Sequence, residues 1–224
     1  MVALDLDGTL VDSAPDTADC LGAALDGLGL TAPGEIRTRA WIADGLSAVI
    51  EGSVAHALGE EARRVCTPRR HIEALHETVR AVFLECYRGR LFVRSRLYPG
   101  VISTLDGLRS RGIRLSCITN KYHALAEELL RRAGVLDRFE LLLGGDSLPE
   151  MKPSPLPLIT AAKRLGVACA EAALVGDSHQ DLDAAKSAGF GFVLASYGYG
   201  KVDEVAAAGI PSIRQFGELE RLLA

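Results

Sequence analysis

The sequence predicts an α/β protein: a parallel sheet covered by helices, interrupted after its first strand by an all-helical insertion. From about residue 95 onward, short apolar runs alternate with helical segments, a pattern typical of parallel strands joined by helical crossovers. Residues 14–93 show no strand pattern, and their apolar side chains recur at helical spacing. We therefore expect two domains, an α/β core of residues 1–13 and 94–224 and an α-helical cap of residues 14–93.

The first predicted element is a strand at residues 2–6, an apolar run that ends in two aspartates. Three amphipathic helices follow it, each indicated by apolar side chains at intervals of three or four residues. Their apolar positions are Leu21, Leu25 and Leu28, then Leu46, Val49, Ile50, Ala57 and Leu58, then Ile72, Leu75, Val79, Val82 and Phe83. We interpret these positions as the core of the cap, and Pro99-Gly100 as the return to the sheet.

The core continues through four further strands, each a short and largely apolar run. These runs are residues 114–119, 141–143, 172–175 and 190–195. Helical stretches between them, around residues 125–130 and 182–188, supply the crossovers that a parallel sheet needs.

The composition excludes several classes of protein. Hydrophobic residues make up 48% of the chain and charged residues 24%, which argues for a folded globular protein. The net charge of -4 gives no positive footprint for nucleic acid, and no apolar run approaches the ~18 residues of a membrane span. We expect a cytoplasmic protein, monomer or homodimer, whose partner is a small molecule rather than nucleic acid or membrane.

The cysteines favour a reducing compartment. They are odd in number, widely spaced and free of any CxxC pair, so neither a disulfide framework nor a zinc site is expected. They are Cys20, Cys66, Cys86, Cys117 and Cys169.

Polar clusters follow the predicted strands, at the edge where open parallel sheets bind ligands. The clusters are Asp5-Leu6-Asp7-Gly8-Thr9, Thr119-Asn120-Lys121, Lys152-Pro153-Ser154-Pro155 and Gly176-Asp177-Ser178 with Asp181. An Asp-Gly pair alone is a common turn, but four such clusters at one edge indicate a site. Carboxylates there suit Mg²⁺, while Lys152, Thr119 and the Asn120 backbone N–H offer donors to a phosphoryl group.

The motifs DLDGTLVDS, ITNK, KPSP and VGDSHQD, in this order, resemble the four motifs of the haloacid dehalogenase superfamily, in its phosphatase branch. The resemblance spans the core, and the helical insertion lies where that superfamily places its first type of cap. It implies a Rossmann-like core that hydrolyses a small phosphate monoester with Mg²⁺ as cofactor. DSAPD, TNK, GGD, Trp41 and the Tyr197-Gly198-Tyr199-Gly200 stretch are most similar to phosphoglycolate phosphatases and related sugar-phosphate enzymes.

Carried over residue by residue, the resemblance implies a two-step reaction. Asp5 would be the nucleophile that forms an aspartyl-phosphate, and Asp7 would act as general acid and then general base. Thr119 and Lys152 would hold phosphoryl oxygens. The residues implied to bind the substrate are Gly8, Thr119, Asn120 and Lys152.

The same resemblance implies a metal site made of aspartates. The Asp5 carboxylate, the Asp7 backbone carbonyl and Asp177 would hold Mg²⁺. Asp181 would act through water or from behind these ligands.

Other reactions fit the sequence less well. Asp7 argues against a dehalogenase, since halide leaves without a proton, and residues 13–94 lack the lysine that a phosphonate hydrolase would use. A regulatory phosphoacceptor module of the receiver type is disfavoured by Asp7, the insertion and the GDSxxD motif. A sugar-phosphate phosphatase or a phosphomutase shares the core motifs and stays open.

Two stretches bear on the substrate. Asp44, in the turn after Trp41, would repel the carboxylate of phosphoglycolate if it faced the site, or else it is a solvated turn residue or helix cap. Residues 197–200 either line the substrate mouth or form a glycine-rich turn.

Overall fold

The computed structural model describes residues 1–64, 69–200 and 209–222. The chain divides into two compact units, an α/β unit of Met1–Asp12 and Arg96–Ala224, and a helical unit of Ser13–Ser95. The predicted cap boundaries, residues 14 and 93, lie one and two residues inside the helical unit. Among the described residues, no helix combines the length and apolar character needed to cross a membrane.

The α/β unit is built on a six-stranded parallel sheet, which confirms the predicted fold class. The strands of the chain are β1 (Val2–Leu4), β2 (Val11–Asp12), β3 (Arg96–Leu97), β4 (Leu115–Ile118), β5 (Leu141–Leu143), β6 (Ala173–Gly176), β7 (Gly191–Ala195) and β8 (Ser212–Ile213). The order in the large sheet is β5-β4-β1-β6-β7-β8, with every neighbouring pair parallel. β1 lies between β4 and β6, so its carboxyl end is flanked by theirs.

Helices alternate with these strands in the α/β unit, and the described residues of the helical unit form helices and connecting loops without a strand. The α-helices of the described residues are α1 (Ala14–Asp26), α2 (Gly34–Ile42), α3 (Gly45–Arg64), α4 (Arg69–Arg90), α5 (Val101–Ser110), α6 (His123–Arg132), α7 (Leu156–Arg164), α8 (His179–Ala188) and α9 (Leu219–Leu222). Side chains of α7 and α8, such as Leu158 and Ala185, pack in one buried cluster with Ala3 of β1 and Leu174 of β6. This packing fixes α8, and with it the loop that follows β6.

In the helical unit α1 packs against α2 and α4, and α3 packs against both α2 and α4. Most predicted apolar positions are buried or half-buried. The prediction is wrong at Leu28 and Val82, each 40% exposed. Leu28 follows the end of α1, and Val82 lies off the α4 face that buries Val79 and Phe83.

Two short strands, β2 and β3, pair antiparallel beside the large sheet, with Val11 opposite Leu97. They carry the chain out of the α/β unit and back into it. The sequence did not predict them, because two residues are too few for an alternating pattern. The return therefore begins at Arg96, three residues before the predicted Pro99-Gly100.

Within the helical unit, Asp16 of α1 holds the segment that follows α4. Its side chain is fully buried and accepts hydrogen bonds from the backbone N–H groups of Val93, Arg94 and Ser95 and from the Ser95 hydroxyl, over 2.5–3.0 Å. Burial acts to raise the pKa of Asp16, but these hydrogen bonds outweigh it and the pKa is lowered. Asp16, part of the DSAPD stretch, is thus a structural link inside this unit.

Candidate active site

Asp5 and Asp7 lie just beyond the carboxyl end of β1. The Asp5 N–H still donates to the carbonyl of Val175 at 2.9 Å, so the strand ladder positions this residue. Both carboxylates are about nine-tenths buried. Gly8 follows with φ +84°, and a Cβ at this position would collide with the carboxylate of Asp177. Gly8 therefore lets the β1 loop approach Asp177 closely.

Lys152 brings a buried ammonium group to this edge of the sheet. Its Nζ lies 2.7 Å from Asp5 Oδ1 and 2.5 Å from Asp181 Oδ1, and it is 2% exposed. Burial alone would lower the pKa of Lys152, but Asp181 and Asp5 raise it above its ordinary value. Lys152 is thus a fixed positive charge, as a buried cation with two carboxylate partners must be.

The pKa of Asp5 is raised to about 7. Burial is the largest cause, and the charges of Asp181 and Asp7 add to it, while Lys152 acts in the opposite direction. The positive charge of Lys152 therefore favours the ionised carboxylate of Asp5, which is the form that can act as a nucleophile.

Both carboxylate oxygens of Asp181, in the first turn of α8, accept hydrogen bonds. Its Oδ1 faces Lys152, and its Oδ2 accepts from the Ser178 N–H at 3.1 Å and from the Ser178 hydroxyl at 2.6 Å. The Ser178 hydroxyl in turn accepts from the Asp181 N–H, which makes a reciprocal helix cap. Gly176 leaves room for this carboxylate, since a Cβ there would collide with it. These contacts suit a residue that positions Lys152.

Asp177 receives neutral donors. The Thr9 hydroxyl donates to Oδ1 at 3.2 Å, and the N–H groups of Tyr199 and Gly200 donate to Oδ2 at 2.6 and 3.3 Å. Burial raises the pKa of Asp177, and the charges of Asp5 and Asp181 raise it further. Asp177 is the third buried carboxylate of this cluster, after Asp5 and Asp181. A bound cation would offset the negative charge of the three.

The stretch 197–200 is a turn packed on Asp177. A Cβ at Gly198 or Gly200 would collide with atoms of Asp177, so both glycines are required for this close approach. The Tyr197 hydroxyl donates to the Thr9 carbonyl at 2.8 Å, and the Tyr199 hydroxyl to Asp12 Oδ1 at 2.7 Å. Of the two alternatives for this stretch, the glycine-rich turn is the one that the contacts support.

Thr119 and Asn120 follow β4, the strand that pairs with β1. Thr119 is 4% exposed, and its hydroxyl accepts from the Lys121 N–H at 3.1 Å. The Asn120 side-chain amide donates to the carbonyl of Lys152 at 2.9 Å, so Asn120 anchors the loop that carries Lys152.

Lys121 makes a contact that the sequence did not predict. Its Nζ lies 2.9 Å from both carboxylate oxygens of Asp7, and both side chains are about nine-tenths buried. The TNK stretch contained Lys121, but an ion pair across 114 residues depends on the pairing of β1 with β4. Thr9 was missed because its contact with Asp177 depends on the pairing of β1 with β6. The contact of Ser178 with Asp181 is local, and the capping pattern of a serine followed three residues later by an acid could have indicated it.

The carboxylates of Asp5, Asp177 and Asp181 have oxygens within 4.8 Å of one another, and all three are buried. Oxygen donors of this kind suit Mg²⁺. The ammonium of Lys152 pairs with Asp5 and Asp181, whereas Asp177 receives its hydrogen bonds from neutral donors. The donor set therefore fits a divalent cation held by Asp5 and Asp177, with Asp181 behind them.

Asp44 belongs to the helical unit, where it lies in the exposed turn between α2 and α3. Its N–H donates to the Trp41 carbonyl at 3.2 Å. This placement agrees with the alternative of a solvated turn residue.

Residues 1–189 match the family model of the haloacid dehalogenase-like hydrolases. The chain belongs to this family, and the resemblance read from its motifs is confirmed. Its relatives include the phosphoglycolate phosphatase of Neisseria meningitidis, 44% identical over 203 residues, which are 89% of this chain and 81% of the relative. That of Nitrosococcus oceani is 39% identical over 199 residues, 89% of this chain and 84% of the relative.

Solved structures agree with these relatives. The crystal structure of a predicted phosphoglycolate phosphatase from Haemophilus somnus has a TM-score of 0.91 and 32% identity, covering 100% of this chain and 97% of the other. The expectation of an enzyme, a phosphatase of this superfamily, is confirmed by the family and by these relatives.

Proposed function

We propose that the protein hydrolyses a small phosphate monoester of the phosphoglycolate type, with Mg²⁺ and through an aspartyl-phosphate on Asp5. The observation that carries this proposal is the convergence of Asp5, Asp7, Lys152 and Asp177 at the carboxyl edge of one sheet. The relatives named phosphoglycolate phosphatase, 36–44% identical, support the choice of substrate class.

In the first step Asp5 attacks phosphorus, and the bond from phosphorus to the alcohol oxygen breaks. Asp7 gives its proton to the departing alkoxide. In the second step Asp7 takes a proton from water, the water oxygen attacks phosphorus, and inorganic phosphate leaves with Asp5 restored. Lys152 offsets the repulsion between Asp5 and an anionic substrate, and Thr119 offers its hydroxyl to a phosphoryl oxygen.

Asp5, the Asp7 carbonyl and Asp177 are the residues that would hold Mg²⁺. When bound, Mg²⁺ supplies positive charge that neutralises the phosphoryl oxygens. Thr9, Tyr199 and Gly200 keep Asp177 oriented for this task through the hydrogen bonds described above.

The nucleophile is tested with Asp5→Asn. Because the amide is neutral and a poor nucleophile, we expect turnover to fall below detection while the circular dichroism spectrum is unchanged. Asp183→Asn, an exposed position on α8, is the matched control and should keep full activity. Phosphatase activity retained by purified Asp5→Asn would refute the assignment.

The substrate class is tested by phosphate release from phosphoglycolate, sugar phosphates and nucleotides, each with Mg²⁺. We expect the highest kcat/KM for phosphoglycolate. A sugar phosphate that ranks far above it would replace this substrate and leave the reaction intact. Interconversion of sugar phosphates that depends on a bisphosphate activator, without net phosphate release, would instead identify a phosphomutase.

A further inference from the structure

Two cysteines meet between helices of the helical unit. Cys20 on α1 and Cys86 on α4 have their Sγ atoms 2.6 Å apart. Cys20 is fully buried and Cys86 partly exposed. A disulfide has a sulfur–sulfur length of about 2.05 Å, so only a small movement of the two side chains separates the thiols from a bond.

We propose that Cys20 and Cys86 are a redox modification site, which a peroxide converts to a reversible disulfide between α1 and α4. The motifs for phosphate chemistry do not involve either residue, and the site is independent of the proposed function. The odd number and wide spacing of the cysteines concealed it, because the two thiols are separated by 66 positions along the chain.

The partial exposure of Cys86 makes it the sulfur that a peroxide reaches first. Its sulfur attacks one peroxide oxygen, the O–O bond breaks, and a sulfenic acid forms as one water leaves. The Cys20 sulfur then attacks the Cys86 sulfur, the S–O bond breaks, and the hydroxyl leaves with the Cys20 proton as a second water. Two thiols thus lose two electrons in total, and the peroxide gains them.

The environment of Cys20 supports a role as the second thiol to react, after Cys86. Burial is the main cause that raises the pKa of the Cys20 thiol, and Arg90 only partly opposes it. A thiol of this kind is a poor first target for an oxidant, but it lies in contact with the sulfur of Cys86. Cys20 therefore serves as the resolving thiol that completes the bond.

The other described cysteines lie in the α/β unit. Cys117 is buried on β4, while Cys169 is partly exposed in the short turn Cys169–Glu171. Cys169 is partly exposed like Cys86 and takes no part in the contact between Cys20 and Cys86, which makes it the natural control. Cys66 lies outside the described residues.

The test treats the full-length reduced protein with hydrogen peroxide, blocks remaining thiols with an alkylating reagent, and maps peptides by mass spectrometry. We expect a linked Cys20–Cys86 peptide and an intact mass lowered by two hydrogen atoms. Of the five cysteine thiols, three should remain titratable. Dithiothreitol should reverse all three changes.

Cys86→Ser and Cys20→Ser should each abolish the linked peptide, and Cys169→Ser should leave it unchanged. Cys86→Ser changes a partly exposed site by one atom, so it keeps the test valid even where Cys20→Ser fails to fold. Alkylation of both Cys20 and Cys86 after peroxide treatment would overturn the proposal. So would a linkage that joins either residue to a different cysteine.

Discussion

Lys121 holds the carboxylate of Asp7 with one ammonium group against both oxygens. In the proposed reaction Asp7 must point at the leaving oxygen and then at water. The ion pair with Lys121 restricts the rotation of the Asp7 side chain. Asp7 is therefore already oriented to donate its proton when the substrate binds. We therefore infer that Lys121 positions Asp7 for the proton-transfer step of the proposed reaction.

Replacing Lys121 with methionine should reduce kcat/KM for an alkyl phosphate by about tenfold or more, because general acid catalysis by Asp7 is weakened. For p-nitrophenyl phosphate we expect a much smaller reduction, since nitrophenolate leaves without a proton. Lys121→Arg, which keeps the charge, should restore part of the difference. Equal losses on both substrates would show that Lys121 acts on binding or folding instead.

The residues that the sequence identified are those with a local signature. Asp5, Asp7, Lys152 and Asp177 each stand in a short motif, whose order alone pointed to the chemistry. Their partners were harder to find. The contact between Lys121 and Asp7 depends on strand order in the sheet, which no local pattern encodes.

Among the elements, α1 contributes a carboxylate, Asp16, that fastens the end of the helical unit. Three backbone N–H groups and one hydroxyl converge on it. A buried N–H or O–H group that lacks an acceptor lowers the free energy of unfolding. The stability of the helical unit therefore depends on the buried carboxylate of Asp16 as well as on its apolar core.

Asp16→Ala should lower the free energy of unfolding by about 3 kcal/mol, measured by urea denaturation, because it leaves buried donors unpaired. Asp26→Ala, an exposed change at the end of the same helix, is the control and should have little effect.

The pH dependence follows from the lowered pKa of Asp16. Its stabilising contribution is fully present above the ordinary value of 3.8 and is lost as pH falls through the lower folded value. Urea titrations below pH 4 should therefore show a smaller difference between wild type and Asp16→Ala. A constant difference across that range would contradict the role of the ionised carboxylate.

Among the strands, those with an apolar run were predicted from the sequence. The strands β2, β3 and β8 were not. The three missed strands have two residues each, whereas periodicity needs about four residues to be recognised. The fold class was predictable because crossovers repeat along the chain. The two-stranded sheet of β2 and β3 was not, because it pairs residues that lie more than 80 positions apart.

For the whole molecule, we expect the acidic cluster to couple stability to metal binding. The pKa of Asp5 is about 7 in the folded chain, against an ordinary value of 3.8. Between these values the folded state keeps a proton that the unfolded state has lost, so ionisation destabilises the fold as pH rises from about 4 to 7. A divalent cation on the ionised carboxylates would remove this penalty.

We therefore expect Mg²⁺ to raise the Tm more at pH 8 than at pH 5, measured by differential scanning calorimetry. Sodium chloride at the same ionic strength is the control for screening. Asp177→Asn should lose most of the increase at pH 8. An increase that is equal at both pH values, or unchanged in Asp177→Asn, would contradict a metal site at these aspartates.

The position of β1 in the sheet also has a consequence for biosynthesis. β1 pairs with β4 on one side and β6 on the other, and the ribosome makes the whole helical unit before it reaches either neighbour. β1 is therefore made well before β4 and β6, and each of its hydrogen-bonding edges lacks its partner in the sheet until that strand follows. Unpaired strand edges of this kind can pair with other chains, so we expect a chain truncated before β4 to aggregate through β1.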